Sequence, residues 1–175
     1  RITWEQVVDC AQKINDEVFI VIERKTIEDN DIRLKTIGRT EALPDGVKKE
    51  LSISMEESKN NKGMILCLAL NYGGRTEIID ATIKLAADVK KGVRKLKDID
   101  DDVFEEYMYT AGMSDPDLLI RTGGEMRVSN FLLWEVSYAE LWFTSVYWPE
   151  FKKKHLEEAL SDYAKRERRY GGLIE

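Results

Sequence analysis

Two short apolar runs, each followed by a glycine-containing loop, constrain the fold of this 175-residue chain more than any other feature. The run MILCLAL (64–70) is continuous, which is typical of a strand buried on both faces of a parallel sheet. DLLIRT (117–122) has the same character, and helix-like segments separate the two runs. Because parallel strands need crossover helices between them, this order predicts an α/β fold with a mostly parallel central sheet flanked by helices.

Apolar periodicity and breaker residues place the other elements. Pro44 opens a helix at a position where its missing N–H costs nothing, and Gly38 ends an alternating strand. No linker, repeat or low-complexity tract divides the sequence, so residues 1–175 are expected to form a single domain. The predicted helices are 4–29, 44–60, 75–90, 101–110, 130–138 and 150–169, and the predicted strands are 32–38, 64–70, 117–122 and 141–146.

Charge and cysteine content narrow the classes of partner and compartment. The net charge of −6 provides no basic field, so nucleic acid is not expected as a partner, and any anion must be held by local arginines and backbone amides. Cys10 and Cys67 have no metal-type spacing, and Cys67, inside the run MILCLAL, is expected to be reduced, which suits a cytoplasmic protein. No apolar stretch approaches the roughly 20 residues that span a bilayer, and His155, in the run KKKH, is expected to be solvated.

The loops after the two buried strands hold the candidate site, because ligands of such sheets bind beyond the carboxyl ends of the strands. Arg121 ends the second strand and Arg127 follows six residues later, so two guanidinium groups can close on a diphosphate. Ser129 or Asn130 is placed to cap the helix predicted at FLLWEV, whose amino-terminal amides favour anions. Glu140, before the next strand, is a candidate magnesium ligand.

Each of these residues has a simpler interpretation when it is taken alone. An arginine at a strand end is often a surface ion-pairing group, Ser129 can be only a helix cap, and Glu140 can be an ordinary surface carboxylate. Their occurrence together at two parallel strand ends favours a binding site.

Two long blocks and the carboxyl-terminal segment carry a family resemblance. LALNYGGRTEI (68–78) and the continuous segment 117–151 resemble two blocks of the cis-prenyltransferase (undecaprenyl diphosphate synthase) family. RERRYGG (166–172) resembles the Arg-x-Gly signature that ends that family, so the resemblance runs from about Ile32 to Gly172. It implies a cis-prenyltransferase-type fold and a transferase that condenses isopentenyl diphosphate with an allylic diphosphate, such as farnesyl diphosphate. The implied product is a long-chain cis-polyprenyl diphosphate, undecaprenyl diphosphate.

The resemblance also implies roles for individual residues. Arg121, Arg127 and Ser129 would bind the diphosphate of isopentenyl diphosphate, and Glu140 would take part in coordinating Mg²⁺. These four positions match the family's second block residue by residue.

Four further positions match the family, and we give their implied roles less weight. Arg169 and Gly171 would complete the neighbouring subunit's site across the interface of a homodimer. Asn71 and Arg75 belong to the first block and are expected mainly to hold the loop architecture, with ligand contact as a secondary role.

The chain departs from the family pattern at its start. The Asp-Gly-Asn-Gly-Arg-Trp block, whose aspartate is the family's essential magnesium ligand, is not found, and neither is a Ser-x-Glu-Asn-Trp segment. Arg1 falls close to the arginine that follows that segment in the family. The expectation is therefore an amino-terminally incomplete domain that contains no catalytic residue and is inactive alone.

Two other functions stay open at this stage. One is a non-catalytic partner subunit of a two-component prenyltransferase, although such partners have generally lost the substrate arginines that this chain retains. The other is a phosphate-binding regulatory domain without chemistry. A lipid product would also be compatible with peripheral membrane contact through the basic run 152–154.

Overall fold

The computed structural model describes residues 24–166, in which strands and helices alternate along the chain. The α-helices are α1 (Arg24–Asp29), α2 (Asp45–Ser58), α3 (Gly74–Lys90), α4 (Asp101–Glu105) and α5 (Lys153–Tyr163). The strands are β1 (Arg33–Ile37), β2 (Ile65–Ala69), β3 (Leu118–Arg121) and β4 (Glu140–Phe143). Three short 3₁₀ turns connect them at Thr40–Ala42, Leu96–Asp98 and Trp148–Glu150.

The strands pair in parallel, which confirms the predicted α/β class. β1 pairs with β2, so that Leu34 lies opposite Leu66. β3 pairs with β4, so that Leu118 lies opposite Glu140 and Arg121 opposite Phe143. Within residues 24–166, β2 and β3 are not hydrogen-bonded to each other, and the predicted central sheet is therefore present as two parallel pairs.

The core lies where α1 and α2 cover β1 and β2. Apolar side chains from all four elements form one buried cluster, to which each fully buried leucine or isoleucine contributes roughly 1.5–3 kcal/mol. Its members are Ile27, Ile32, Leu34, Leu51 and Leu68. Ser58, also buried, accepts a hydrogen bond from the Leu34 N–H at 3.1 Å and donates one to the Ser54 carbonyl at 2.7 Å, so its hydroxyl is satisfied within this core.

β2 is less buried than its apolar sequence predicts. Leu68 is its one buried residue, while Ile65 at its start is exposed. The reason is that β2 has a strand neighbour on one side only within the described part of the chain, which leaves its other edge open.

The helix predicted at 130–138 is wrong, because these residues form a series of turns. Asn130 and Leu132 have φ values of +64° and +45°, and so does the preceding Ser129 at +47°. Right-handed helices need negative φ, so this backbone cannot start one. The hydrogen bonds that hold it there come from α3 and are described with the site.

The prediction that His155 is solvated is also wrong. Its side chain lies against the ring of Phe151 at 5.4 Å between centroids, and the residue is 9% exposed. Nδ1 of His155 accepts a hydrogen bond from the Lys152 N–H at 2.9 Å, which satisfies a donor at the start of α5.

One predicted helix reaches the start of the chain. Of the helix predicted at 4–29, only α1 falls in the part that the structure describes, and the rest lies outside it. None of the helices within residues 24–166 is long and apolar enough to cross a membrane.

Candidate functional site

The loops that follow β1 and β2 are joined by paired hydrogen bonds at the carboxyl edge of their strands. The Arg39 N–H donates to the Asn71 carbonyl at 3.3 Å, and Nδ2 of Asn71 donates to the Arg39 carbonyl at 3.0 Å. Asn71 takes a φ of +46°, a conformation that asparagine tolerates better than most residues. Asn71 thus holds two loops together through its own side chain and backbone.

Asn130 joins the same region to the loop after β3. Its carbonyl accepts a hydrogen bond from the Gly74 N–H at 2.7 Å, and its side-chain Oδ1 accepts one from the Arg75 N–H at 2.9 Å. A Cβ on Gly73 would lie 2.8 Å from Nδ2 of Asn130, and one on Gly74 would lie 2.8 Å from Cγ of Leu133. The two glycines are therefore needed for this close approach.

The two predicted substrate arginines come together on one carboxylate. Arg121 Nη2 lies 2.8 Å from Oε2 of Glu125, and the Arg127 guanidinium pairs with the same oxygen. The side chain of Arg121 is 28% exposed and that of Arg127 is 62% exposed. Both guanidinium groups therefore remain accessible to solvent while they pair with Glu125.

A cleft of about 350 Å³ opens beside Arg121. Four apolar side chains, Thr122 and the Arg121 guanidinium line it, so it presents both polar and apolar groups to a small ligand. We call it the arginine cleft, and it is lined by Leu119, Ile120, Arg121, Thr122, Val128 and Phe131.

The glycine pair after Arg121 turns the chain sharply. Gly123 and Gly124 have φ values of +83° and +76°, which glycine adopts without strain. Their N–H groups donate to the carbonyls of Val146 and Thr144, both at 2.9 Å. These amides extend the pairing of β3 with β4 and are not available to a ligand.

Ser129 lies between Arg127 and Asn130 and is exposed. The expectation that Ser129 or Asn130 caps the helix predicted at FLLWEV is wrong, since turns follow. Asn130 instead accepts hydrogen bonds from the first two N–H groups of α3. The Ser129 hydroxyl still lies on the loop that carries Arg127.

Glu140 lies away from the arginines. It is the first residue of β4, whereas Arg121 is the last residue of the parallel strand β3. Glu140 lies opposite Leu118, three residues before Arg121, so the backbones of Glu140 and Arg121 are separated by about 10 Å along the strands. Its Oε2 accepts a hydrogen bond from Nη1 of Arg166 at 2.7 Å.

Residues 24–166 do not by themselves supply a complete ligand set for magnesium, because nothing among them forms a cluster of three or more metal-ligating side chains. Arg166 pairs with Oε2 of Glu140, so a metal ion held by this carboxylate would share it with that guanidinium.

Three candidate residues remain: Arg75, Arg169 and Gly171. Arg75 is exposed, and its guanidinium has no ion-pair partner in the portion of the chain that the structure describes. It is thus available for an anion near the Asn130 contact. Arg169 and Gly171 lie outside the described residues.

Sequence reasoning missed two polar clusters beneath the loops. Arg39 makes a bidentate ion pair with Asp80 at 2.7 and 2.9 Å, and the Tyr109 hydroxyl donates to the same carboxylate. Glu77 and Glu135 are both buried. A helical stripe could have located Glu77, because it shares the buried face of α3 with Ala81 and Leu85.

Comparison with known proteins assigns the family. The family model described as putative undecaprenyl diphosphate synthase matches residues 5–171. The chain is similar to the isoprenyl transferase of Clostridium perfringens, with 44% identity over 169 residues that cover 97% of this chain and 66% of the relative. It is also similar to the isoprenyl transferase of Geobacter sulfurreducens, with 47% identity over 153 residues that cover 87% and 62%. The chain therefore spans a little under two thirds of the length of these curated relatives.

Solved structures agree with this assignment. The crystal structure of lavandulyl diphosphate synthase from Lavandula x intermedia, in complex with dimethylallyl diphosphate, superposes with a TM-score of 0.86 at 38% identity and covers 89% of this chain and 67% of that one. A probable undecaprenyl diphosphate synthase from Campylobacter jejuni gives a TM-score of 0.75 at 26% identity, with 94% and 79% covered. Since the family model matches nearly the whole chain, the chain belongs to the prenyltransferase family that is described as putative undecaprenyl diphosphate synthase.

Proposed function

We propose that this chain holds the isopentenyl diphosphate side of a cis-prenyltransferase active site. The observation that carries the proposal is the convergence of Arg127 and of Arg121, which lines the arginine cleft, on Glu125. A diphosphate that replaced the Glu125 carboxylate would meet two guanidinium groups, whose charge-assisted hydrogen bonds are among the strong ones in proteins. The Ser129 hydroxyl and the exposed Arg75 are further donors on the same side.

The apolar part of the cleft suits the five-carbon chain of the substrate. Leu119, Val128 and Phe131 line the cleft beside Arg121, so a bound isopentenyl group would lie against apolar atoms while its diphosphate stays at the mouth. Binding of this kind orients the double bond toward the second substrate, which contributes to rate by positioning.

The proposed reaction joins this bound substrate to an allylic diphosphate. The allylic carbon–oxygen bond breaks and pyrophosphate leaves, and the isopentenyl double bond attacks the allylic carbon to form a carbon–carbon bond. A proton is then lost to give the new cis double bond. The role of this chain's described residues is to hold and orient the isopentenyl diphosphate.

Relatives support the substrate class and the type of reaction. Two of the curated relatives are named isoprenyl transferases, and the lavandulyl diphosphate synthase was crystallised with dimethylallyl diphosphate, an allylic diphosphate. We propose undecaprenyl diphosphate as the product, formed by a homodimer in the cytoplasm to which Arg169 and Gly171 contribute. Mg²⁺ belongs to the proposal as the charge-neutralising ion that the family resemblance implies, but no step is assigned to it here.

Calorimetric titration of isopentenyl diphosphate into the chain tests the binding site. Arg121→Ala is expected to weaken the affinity about tenfold or more, because a charge-assisted hydrogen bond to a diphosphate is lost. Arg33 lies at the exposed start of β1, at the opposite end of the strand from the loops of the site. Arg33→Ala removes the same charge and should leave the affinity unchanged. Equal affinities for wild type and a folded Arg121→Ala variant would reject the assigned site.

Product analysis separates the alternatives. Incubation of the complete protein with isopentenyl diphosphate and farnesyl diphosphate should yield a polyprenyl diphosphate whose chain length is read by chromatography. Binding without turnover would favour the non-catalytic partner subunit, and phosphate binding without selectivity for the isopentenyl group would favour a regulatory domain.

A further inference from the structure

Two carboxyl groups are buried together beneath the candidate site. Glu77, on the first turn of α3, is 0% exposed, and Glu135, in the turns before β4, is 3% exposed. Neither is paired with a lysine or arginine in the part of the molecule between residues 24 and 166. Burying a charged carboxylate without a cation is costly, so the state of these two groups requires a specific explanation. We call Glu77 and Glu135 the acid pair.

The hydrogen-bond donors around the acid pair are unevenly divided. Glu77 Oε1 accepts from the Tyr109 N–H at 2.7 Å, and its Oε2 accepts from the Tyr72 hydroxyl. Oε1 of Glu135 accepts from the Thr110 hydroxyl at 2.8 Å. Tyr109 and Thr110 are consecutive, so the two carboxyl groups take their donors from neighbouring residues.

One oxygen of the pair is left over. Oε2 of Glu135 is buried and has no hydrogen-bond partner among the described residues. Both oxygens of Glu77 accept hydrogen bonds, as an ionised carboxylate requires. If Glu135 were ionised as well, its Oε2 would carry buried negative charge with no donor, near the like charge of Glu77.

We propose that Glu135 is protonated and donates from Oε2 to Glu77, so that the acid pair shares one proton and fastens the 130–138 turns to α3. A single proton turns the repulsion of two carboxylates into a short, charge-assisted hydrogen bond. The same two segments are joined by Asn130 five residues earlier, at Gly74 and Arg75. Glu135 is thus a positioning residue for the loop that carries Arg127 and Ser129, a consequence that depends on the proposed function, whereas the shared proton does not.

The electrostatic surroundings support this protonation. Burial, and then the neighbouring Glu77, raise the pKa of Glu135 above its ordinary value. The other titratable groups near Glu135 are Tyr72 and Asp115, neither of which is a cation. Burial also raises the pKa of both, so Tyr72 keeps its hydroxyl proton and continues to donate to Glu77.

The sign of the pH dependence follows from linkage. The folded protein holds the Glu135 proton more tightly than the unfolded chain does. The stability that the acid pair contributes is therefore complete below the ordinary pKa of glutamate and is lost as the pH rises through the raised value in the folded protein. Glu135→Gln has a neutral amide that can donate to Glu77 at every pH, so it should lack this loss.

Thermal unfolding of wild type and Glu135→Gln over pH 5–9 tests the shared proton. The wild-type midpoint is expected to fall with pH relative to the variant, so that the difference between the two grows toward alkaline pH. Glu158→Gln, an exposed substitution on α5, makes the same change of side chain away from the acid pair and should run parallel to wild type. Parallel wild-type and Glu135→Gln curves would overturn the proposal.

Two measurements keep the test decisive if a variant folds poorly. In ¹³C NMR of the wild-type chain with labelled glutamate, the Glu135 carboxyl resonance should have the shift of the protonated form at neutral pH, and the ionised form there would reject the proposal. Isopentenyl diphosphate titrations should show the wild-type affinity falling relative to Glu135→Gln as the pH rises. Glu135→Leu, which has no donor, should bind about tenfold more weakly than Glu135→Gln at neutral pH.

The two proposals fail in different ways. If Arg121→Ala binds isopentenyl diphosphate as wild type does, the proposed function fails, while the unfolding and NMR results still decide the acid pair. If those results show an ionised Glu135, the acid pair fails, whatever the result at Arg121.

Discussion

Oδ1 of Asn130 accepts a hydrogen bond from the backbone N–H of Arg75 at 2.9 Å, across 55 positions of the sequence. The Asn130 carbonyl also accepts from the neighbouring Gly74 N–H at 2.7 Å. One residue therefore joins the start of α3 to the loop that carries Arg127 and Ser129. Asn130 does so with a φ of +64°, a conformation in which asparagine is several-fold enriched over most residues.

Removing this side chain should separate the two loops. Asn130→Gly keeps the positive φ and the backbone bond to Gly74 but loses the bond to Arg75, so we expect about 1 kcal/mol less unfolding free energy and weaker binding of isopentenyl diphosphate. Asn61→Gly is the matched control, because Nδ2 of Asn61 donates to the Ile32 carbonyl at 2.7 Å, away from the cleft. Urea unfolding and calorimetry measure both effects, and a control that lost as much affinity as Asn130→Gly would contradict a specific role.

Glu125 should compete with the substrate for its arginines. Its carboxylate pairs with Arg121 and Arg127, so an incoming diphosphate must displace it. Glu125→Gln is expected to bind inorganic pyrophosphate about fivefold more tightly, because removing one nearby negative charge is worth about 1 kcal/mol at close range in water. Glu106→Gln, which breaks the pair with Arg94 elsewhere on the surface, is the control. Weaker binding by Glu125→Gln would show that the carboxylate positions the arginines instead.

The parts of the fold that depend on local pattern were predictable. MILCLAL and DLLIRT form parallel strands, and their position ahead of the glycine loops led directly to Arg121 and Arg127, which the structure brings onto one carboxylate. The turns at 130–138 were not predictable, because their sequence has helical character while their backbone is set by hydrogen bonds to residues 74 and 75. Contacts at that sequence distance leave no local pattern to read.

One error had a usable signal. His155 stands four residues from Phe151 and from Ala159, which are both buried, and this spacing outweighs the charged run before it.

The buried His155 should be measurable in the stability of α5. His155→Ala loses the acceptor for the Lys152 N–H and the contact with Phe151, and loss of such a cap costs about 1 kcal/mol. In a domain of this size that corresponds to a fall of roughly 2–4 °C in the midpoint of thermal unfolding. Lys154→Ala, the exposed neighbour, should change it little. Equal midpoints for the two variants would show that the cap contributes nothing.

The Arg39–Asp80 pair should give the chain a defined sensitivity to acid. The hydrogen bonds of Arg39, and next that of Tyr109, lower the pKa of Asp80 from 3.8 to about 2. Because the value in the folded protein is the lower one, the stability from this carboxylate is present above pH 3.8 and is lost as the pH falls through about 2. Asp80→Asn has no such group to titrate, so it should be less stable than wild type at neutral pH, and the difference should shrink between pH 4 and pH 2. Urea unfolding at a series of pH values measures this, with the exposed Asp98→Asn as the control. A difference that stayed constant down to pH 2 would mean that the ion pair does not hold the loop after β1, which Asn71 joins to the site through the Arg39 backbone.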